Sequence, residues 1–254
     1  MNKERVMKKQ QLILGLLGLL VAGTLVAAPK TPVVVTKNGQ AMRVKSVKAM
    51  GDGSIEFVDM KGTTIRWKQS QFQYAYVPEP DGVKALESAL AKEQYDQVLK
   101  FCPQARQQFG ILGWGDKLCY LEGMAYLGKN EPAKAAEVFA LGMRYPGRSY
   151  RDDLARGQVT AMIALGKVEE VKDSLDAMVR STRDADAAMA LNARGEILAK
   201  QGKSKEAVLE YLKTLLLFED GKSVKPYRDE ARKQVVALMR KMGDPKWKLF
   251  VDIK

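Results

Sequence analysis

Histidine is absent from this 254-residue chain, and cysteine occurs only twice. Without imidazole there is no histidine base, proton shuttle or metal ligand, which removes the Ser-His-Asp hydrolases and most zinc sites. The two cysteines, Cys102 and Cys119, leave two readings open: a single bridge across 17 positions, or two small apolar side chains on neighbouring helices. What the chain does contain is the balance of an ordered protein, with 46% apolar and 28% charged residues. Its length suits two modest domains rather than one small module.

The first 28 residues are set aside from the fold. Lys3, Arg5, Lys8 and Lys9 precede an apolar run of 17 residues, Leu12 to Ala28, that ends in small side chains. That is the pattern of an export signal. Cleavage after Ala27 puts Leu25 and Ala27 in the recognition positions, whereas a cut after Ala28 would leave Pro29 directly behind the scissile bond. The alternative is a retained anchor, because 17 residues lie at the lower edge of a bilayer span. No cysteine follows the run to accept a lipid. The expectation is an exported protein of the periplasm or cell envelope, soluble or held by its own uncleaved signal.

Residues 29–78 have a strand rhythm. Asn38-Gly39 tolerates positive φ at both turn positions and predicts a hairpin, and the device returns at Gly51-Asp52-Gly53 and Lys61-Gly62. Four or five short strands follow, with Val33 and Val35, Val44 and Val47, Ile55, Phe57 and Val58, then Ile65 and Trp67 supplying an apolar face. Such a face is too small for an open sheet, so a small closed or half-closed barrel is expected. The order of turns and strands resembles the small SH3-like or Sm-like barrels. "VPEPDG" then marks a linker at 79–82.

Beyond it the period changes. "LEGMAYLGKNEPAKAAEVF" (121–139) returns without gaps at an offset of 36 as "GQVTAMIALGKVEEVKDSL" and at 72 as "ARGEILAKQGKSKEAVLEY". Gly123 and Gly195 share a column that holds Val159 in the middle copy, with Tyr126, Met162 and Leu198 three residues on. Asn130, Gly166 and Gly202 fall in the turn column, which predicts a left-handed residue ending each first helix. Ala135, Val171 and Ala207, then Phe139, Leu175 and Tyr211, form one face of a second helix. Paired helices at this period mean stacked hairpins, each covering a face its neighbour leaves open. The order of glycine, tyrosine, turn, alanine and aromatic resembles the tetratricopeptide repeat family, with the middle copy departing from the pattern at Val159 and Val171. Weaker copies flank these three: Val83 to Phe101, closed by Pro103, and Lys225 to Asp244, where "PKWKLFVDIK" is expected to fold Trp247 and Phe250 back over a closing helix. The fold class is therefore α+β and multidomain: a small N-terminal β-barrel-like domain, then an all-α solenoid of tetratricopeptide-like hairpins over 83–254.

No motif for chemistry accompanies this pattern. "GKS" occurs at Gly202 and Gly221, but Ile197 and Leu216 stand where a phosphate-cradling loop needs glycine. "GILGWG" (110–115) reads as a flexible connection between hairpins. The chain is read as no enzyme, with no cofactor and no metal. The resemblance implies a concave groove lined by first helices: Lys117, Tyr120, Met124 and Leu127, then Arg156, Thr160 and Ile163, then Asn192, Glu196 and Lys200, and finally Lys225, Arg228 and Arg232. These positions describe an apolar middle with a basic end, suited to a protein partner with acidic segments. Charge points the same way, since the chain carries +12 overall. The function expected is a non-catalytic adaptor that joins proteins at the cell envelope. The alternative is a binder of nucleic acid or of an acidic envelope polymer through basic surfaces. The export signal and the scarcity of aromatics on the exposed strand positions weigh against nucleic acid, and a membrane enters only through the signal or peripheral charge.

Overall fold

The computed structural model describes residues 31–146 and 149–251. The export signal and the cut after Ala27 lie outside the described residues, as does the tail beyond Val251. Among the described residues no helix is long and apolar enough to cross a membrane.

Six strands come first: β1 (Val33–Thr36), β2 (Ala41–Arg43), β3 (Ser46–Ala49), β4 (Ile55–Val58), β5 (Thr64–Trp67) and β6 (Phe72–Tyr76). They form two antiparallel sheets of order β2-β1-β6 and β3-β4-β5. Gly39, Gly53 and Gly62 hold the turns at φ between 78° and 96°, a region open to glycine at no steric cost. The chain changes sheets at Val44 and Lys45, whose N–H groups donate to Pro32 in one sheet and Val58 in the other. Both sheets enclose one core of Val34, Val44, Ile55, Phe57, Phe72 and Ala75, but among the described residues no strand ladder joins them. Two expectations are corrected here. A sixth strand exists because Phe72 and Ala75 pair with β1, and Val34 rather than Val33 or Val35 enters the shared core. A one-residue change of register exchanges the two faces of a strand, and β1 carries a register shift between Val35 and Thr36.

Nine α-helices follow among the described residues: α1 (Asp81–Ala91), α2 (Tyr95–Phe109), α3 (Gly115–Gly128), α4 (Pro132–Gly142), α5 (Arg151–Ala164), α6 (Val168–Val179), α7 (Asp184–Lys200), α8 (Ser204–Leu217) and α9 (Lys225–Lys241). Short 3-10 turns at Gly110–Leu112 and Pro245–Phe250 complete the set. Each helix packs on its neighbour in sequence, and α1, α3, α5, α7 and α9 also touch one another in succession. Asn130, Gly166 and Gly202 stand at φ of 58°, 75° and 78°, ending α3, α5 and α7. Glu93 does the same after α1 at 56°. The hairpins close where a small residue meets a ring. Gly123 admits the Phe139 ring so closely that a Cβ would stand 2.4 Å from it, Gly195 admits Tyr211 at 2.8 Å, and a Cβ on Gly157 of the next hairpin would stand 2.5 Å from the same Phe139 ring. Pro103 does not close the first hairpin. It sits exposed inside α2, which continues to Phe109.

The strands and helices are tied rather than merely linked. Leu112, from the 3-10 turn after α2, is 2% exposed and inserts into the core of the two sheets. The Val77 N–H donates to the Leu112 carbonyl at 3.2 Å, and the Trp114 indole donates to the Val77 carbonyl at 3.0 Å. "GILGWG" is therefore no flexible connection. Gly113, at φ 93°, lies under the Tyr76 ring, and Gly110 and Gly115 lie against Tyr145. Trp247 and Phe250 pack on the cluster of Val208, Tyr211, Val235 and Met239, with Arg240 stacked 3.9 Å above the Trp247 ring.

Candidate functional site: a cleft between three helices

A cleft of about 640 Å³ opens between α5, α7 and α9. Helical spacing places its walls. Asn192, Glu196 and Lys200 follow one another at every fourth position of α7, while Tyr227, Glu230, Gln234, Leu238 and Lys241 form a row on α9. Thr160 and Ile163 come from α5, and Met189, Ala193 and Tyr211 complete the floor. The adjoining face of α9, about 100° round the helix with Ala231, Val235 and Met239, is buried against α8 and so fixes which side the cleft row presents.

Few polar groups on the walls are free. Asn192 donates to the Tyr227 carbonyl at 2.8 Å, which leaves its buried Oδ1 without a donor. Glu196 pairs with Lys200 at 2.7 Å, and Glu230 accepts from the Gln234 amide at 2.7 Å. Tyr211 is 3% exposed and packs its ring against Gly195 at the floor of the cleft. Burial, reinforced by Glu196 and Glu230, pushes its phenol pKa well up, so the hydroxyl keeps its proton.

The thirteen groove positions read from the sequence divide in two. Thr160, Ile163, Asn192, Glu196 and Lys200 line the cleft. The others do not, and each has a physical reason. Lys117 is buried and donates to Glu79 and Glu87, both at 2.7 Å, beside the rings of Trp114 and Tyr150. Tyr120, half-buried, stacks on Tyr150 at 5.5 Å, and burial lifts its phenol to about 12. Met124 and Leu127 pack against the Phe139 cluster. Arg156 joins Asp153 on its own helix to Asp186 at the start of α7, where Arg183 also binds Asp186 and Asp152. Arg228 is buried and donates to the carbonyls of Leu215 and Phe218, where α8 ends. Lys225 and Arg232 share Asp229. Arg232 lies in a separate hollow of about 400 Å³ with Lys233, Arg240, Phe250 and Val251. The basic end of the expected groove is thus turned away from the cleft or consumed in joining helices.

The bridge between Cys102 and Cys119 is not formed. Both are fully buried free thiols, Cys102 among Val98 and Leu118 and Cys119 beside Phe139 and Leu154. Arg106 reaches the Cys119 sulfur at 3.9 Å while paired to buried Glu122. Burial pushes the thiols up to about 12 and about 11 respectively. Among the described residues no group of three or more acidic or cysteine side chains is placed to hold a metal ion.

The row Glu230, Gln234, Leu238 and Lys241 was missed by sequence reasoning, although it is the polar counterpart of the apolar row Ala231, Val235 and Met239. No family model matches this chain, and no curated protein is significantly similar to it.

Proposed function

We propose that the chain is an exported, non-catalytic adaptor whose tetratricopeptide-like solenoid holds a partner polypeptide in the cleft of α5, α7 and α9, behind a small β-barrel-like N-terminal domain. The observation that carries this reading is the cleft. It is an open concavity with an apolar floor and one buried acceptor, Asn192 Oδ1, left unpaired where a bound backbone could donate. Support for the solenoid comes from the succession of odd-numbered helices in contact and from left-handed turns recurring at 130, 166 and 202. The export reading rests on the N-terminal sequence alone, and the cell-envelope setting rests on it in turn.

The test is affinity capture from cells after chemical crosslinking and nuclease treatment, comparing the native chain with a Thr160→Arg, Glu196→Arg variant. Both positions are exposed on the cleft walls, so the fold is spared. A defined set of envelope proteins present with the native chain and lost with the variant is the expected result. Capture that survives the variant but vanishes in high salt would instead favour polyanion binding through the exposed lysines of the sheets, such as Lys37, Lys61 and Lys68.

A further inference from the structure

The cleft carries an ordered pattern of charge. Its two rows run the same way, because Asn192 meets Tyr227 and, one turn further, Glu196 and Glu230 both lie close enough to act on Tyr211. Lys200 follows one turn beyond Glu196, and Lys241 ends α9. Acceptors therefore gather in the middle tier and cations at one end.

The middle tier is rich in acceptors, since Glu196 and Glu230 take their donors from Lys200 and Gln234 through one oxygen each. Asn192 Oδ1 is buried and unpaired, and the Tyr211 hydroxyl belongs to a side chain lining the same cleft. Nearly buried polar groups without partners are rare in folded proteins and mark places where something else binds. Two carboxylates, a phenol oxygen and an amide oxygen together ask for a group that is donor-rich and cationic. The apolar side chains of Met189 and Leu238 offer contact for an aliphatic stem. Lys200 asks for a carboxylate one turn beyond it.

Spacing turns this into a sequence rule. Four helical residues separate Glu196 from Lys200, a rise of about 6 Å, and alternate residues of an extended strand lie about 6.6 Å apart on one side. We propose that the cleft selects an extended partner segment in which a lysine or arginine and an acidic residue are two positions apart. The cation sits among Tyr211, Glu196, Glu230 and Asn192, and the anion sits against Lys200. The Glu196–Lys200 pair is about half exposed on both sides, so it contributes little and opens readily to serve the ligand. This rests on the polypeptide-binding reading above and replaces the acidic segment expected from the sequence with one of mixed charge.

The experiment uses the full chain and fluorescently labelled nine-residue peptides of serine, threonine and alanine carrying Lys-x-Glu, Lys-x-Lys, Glu-x-Glu or adjacent Lys-Glu, with binding read by anisotropy. The expected result is that Lys-x-Glu binds about tenfold tighter than each of the other three. Glu230→Lys abolishes the preference, and Tyr211→Phe, which keeps the ring and the packing, weakens Lys-x-Glu about threefold or more. Equal binding of Lys-x-Lys or Glu-x-Glu, or no measurable binding of any peptide at 1 mM, overturns the proposal. If that happens while capture from cells still depends on Thr160 and Glu196, the rule of charge spacing falls and the adaptor reading stands.

Discussion

At the scale of single residues, backbone conformation makes the sharpest statements. Glu93 turns the first hairpin at φ 56°, where Gly166 and Gly202 do the same work without a Cβ. An L side chain held in that region costs about 1–2 kcal/mol. Glu93→Gly is therefore expected to stabilise the fold by about 0.5–1 kcal/mol once the entropy of a glycine in the unfolded chain is set against it, as measured by the urea midpoint. Gly157 gives the opposite case, since its missing Cβ is the space the Phe139 ring fills. Gly157→Ala is expected to cost about 1–3 kcal/mol, and a shift below 0.5 kcal/mol would show that the ring has room to move. The turn column at 130, 166 and 202 was legible in the sequence because left-handed conformation is a property of residue type. The equivalent role of Glu93 was not, since nothing about a glutamate announces positive φ.

At the scale of elements, the hairpins were legible and the groove face was only half legible, for a physical reason. Small-against-large columns such as Gly195 with Tyr211 recur at a fixed offset, whereas which side of a helix faces a cleft depends on rotation, and one residue turns it by about 100°. On α9 that difference separates Arg228, which is buried, from Tyr227, which lines the cleft. Arg228 holds the end of α8 by donating to the Leu215 and Phe218 carbonyls. Arg228→Met removes charge-assisted hydrogen bonds and is expected to cost about 2–3 kcal/mol. Because hairpins in series loosen locally, the loss should appear as faster hydrogen exchange in α8 and α9 with α3 unchanged. Uniform acceleration through all the helices would contradict it. Arg156 has a parallel role one hairpin earlier, binding Asp186, which is 3% exposed, so it too is a joint rather than a ligand group.

At the scale of the whole molecule, buried thiols set a limit on the alkaline side. Cys102 and Cys119 titrate near 12 and 11 in the fold against 9.0 when free. Both folded values are raised, so the stability they contribute is complete below pH 9 and is lost as pH climbs from about 9 towards 11–12, where the unfolded chain sheds protons the native state keeps. The expected slope is about 1.4 kcal/mol per pH unit for each thiol, and a Cys102→Ala, Cys119→Ala chain should lose that slope. Neither thiol should react with a disulfide reagent at pH 8 until the chain is unfolded. The sheets and helices also answer as one body at their junction. Leu112 lies between helices in the sequence but packs in the sheet core, so Leu112→Ala is expected to cost about 2–5 kcal/mol and to raise hydrogen exchange in β4. The turns and most of the strands were legible from glycine pairs and alternation, but the sixth strand, the division into two sheets and their plug were not, because the packing of Leu112 into the sheet core is long-range and leaves no local pattern. The central claim, that the cleft of α5, α7 and α9 holds a partner's chain, is tested most directly by a photo-crosslinking amino acid placed in cells at Thr160, and separately at Leu209 on the exposed side of α8. The account predicts one defined protein adduct from Thr160 and none of it from Leu209. The same adduct from both positions, or none from Thr160 alone, would contradict it.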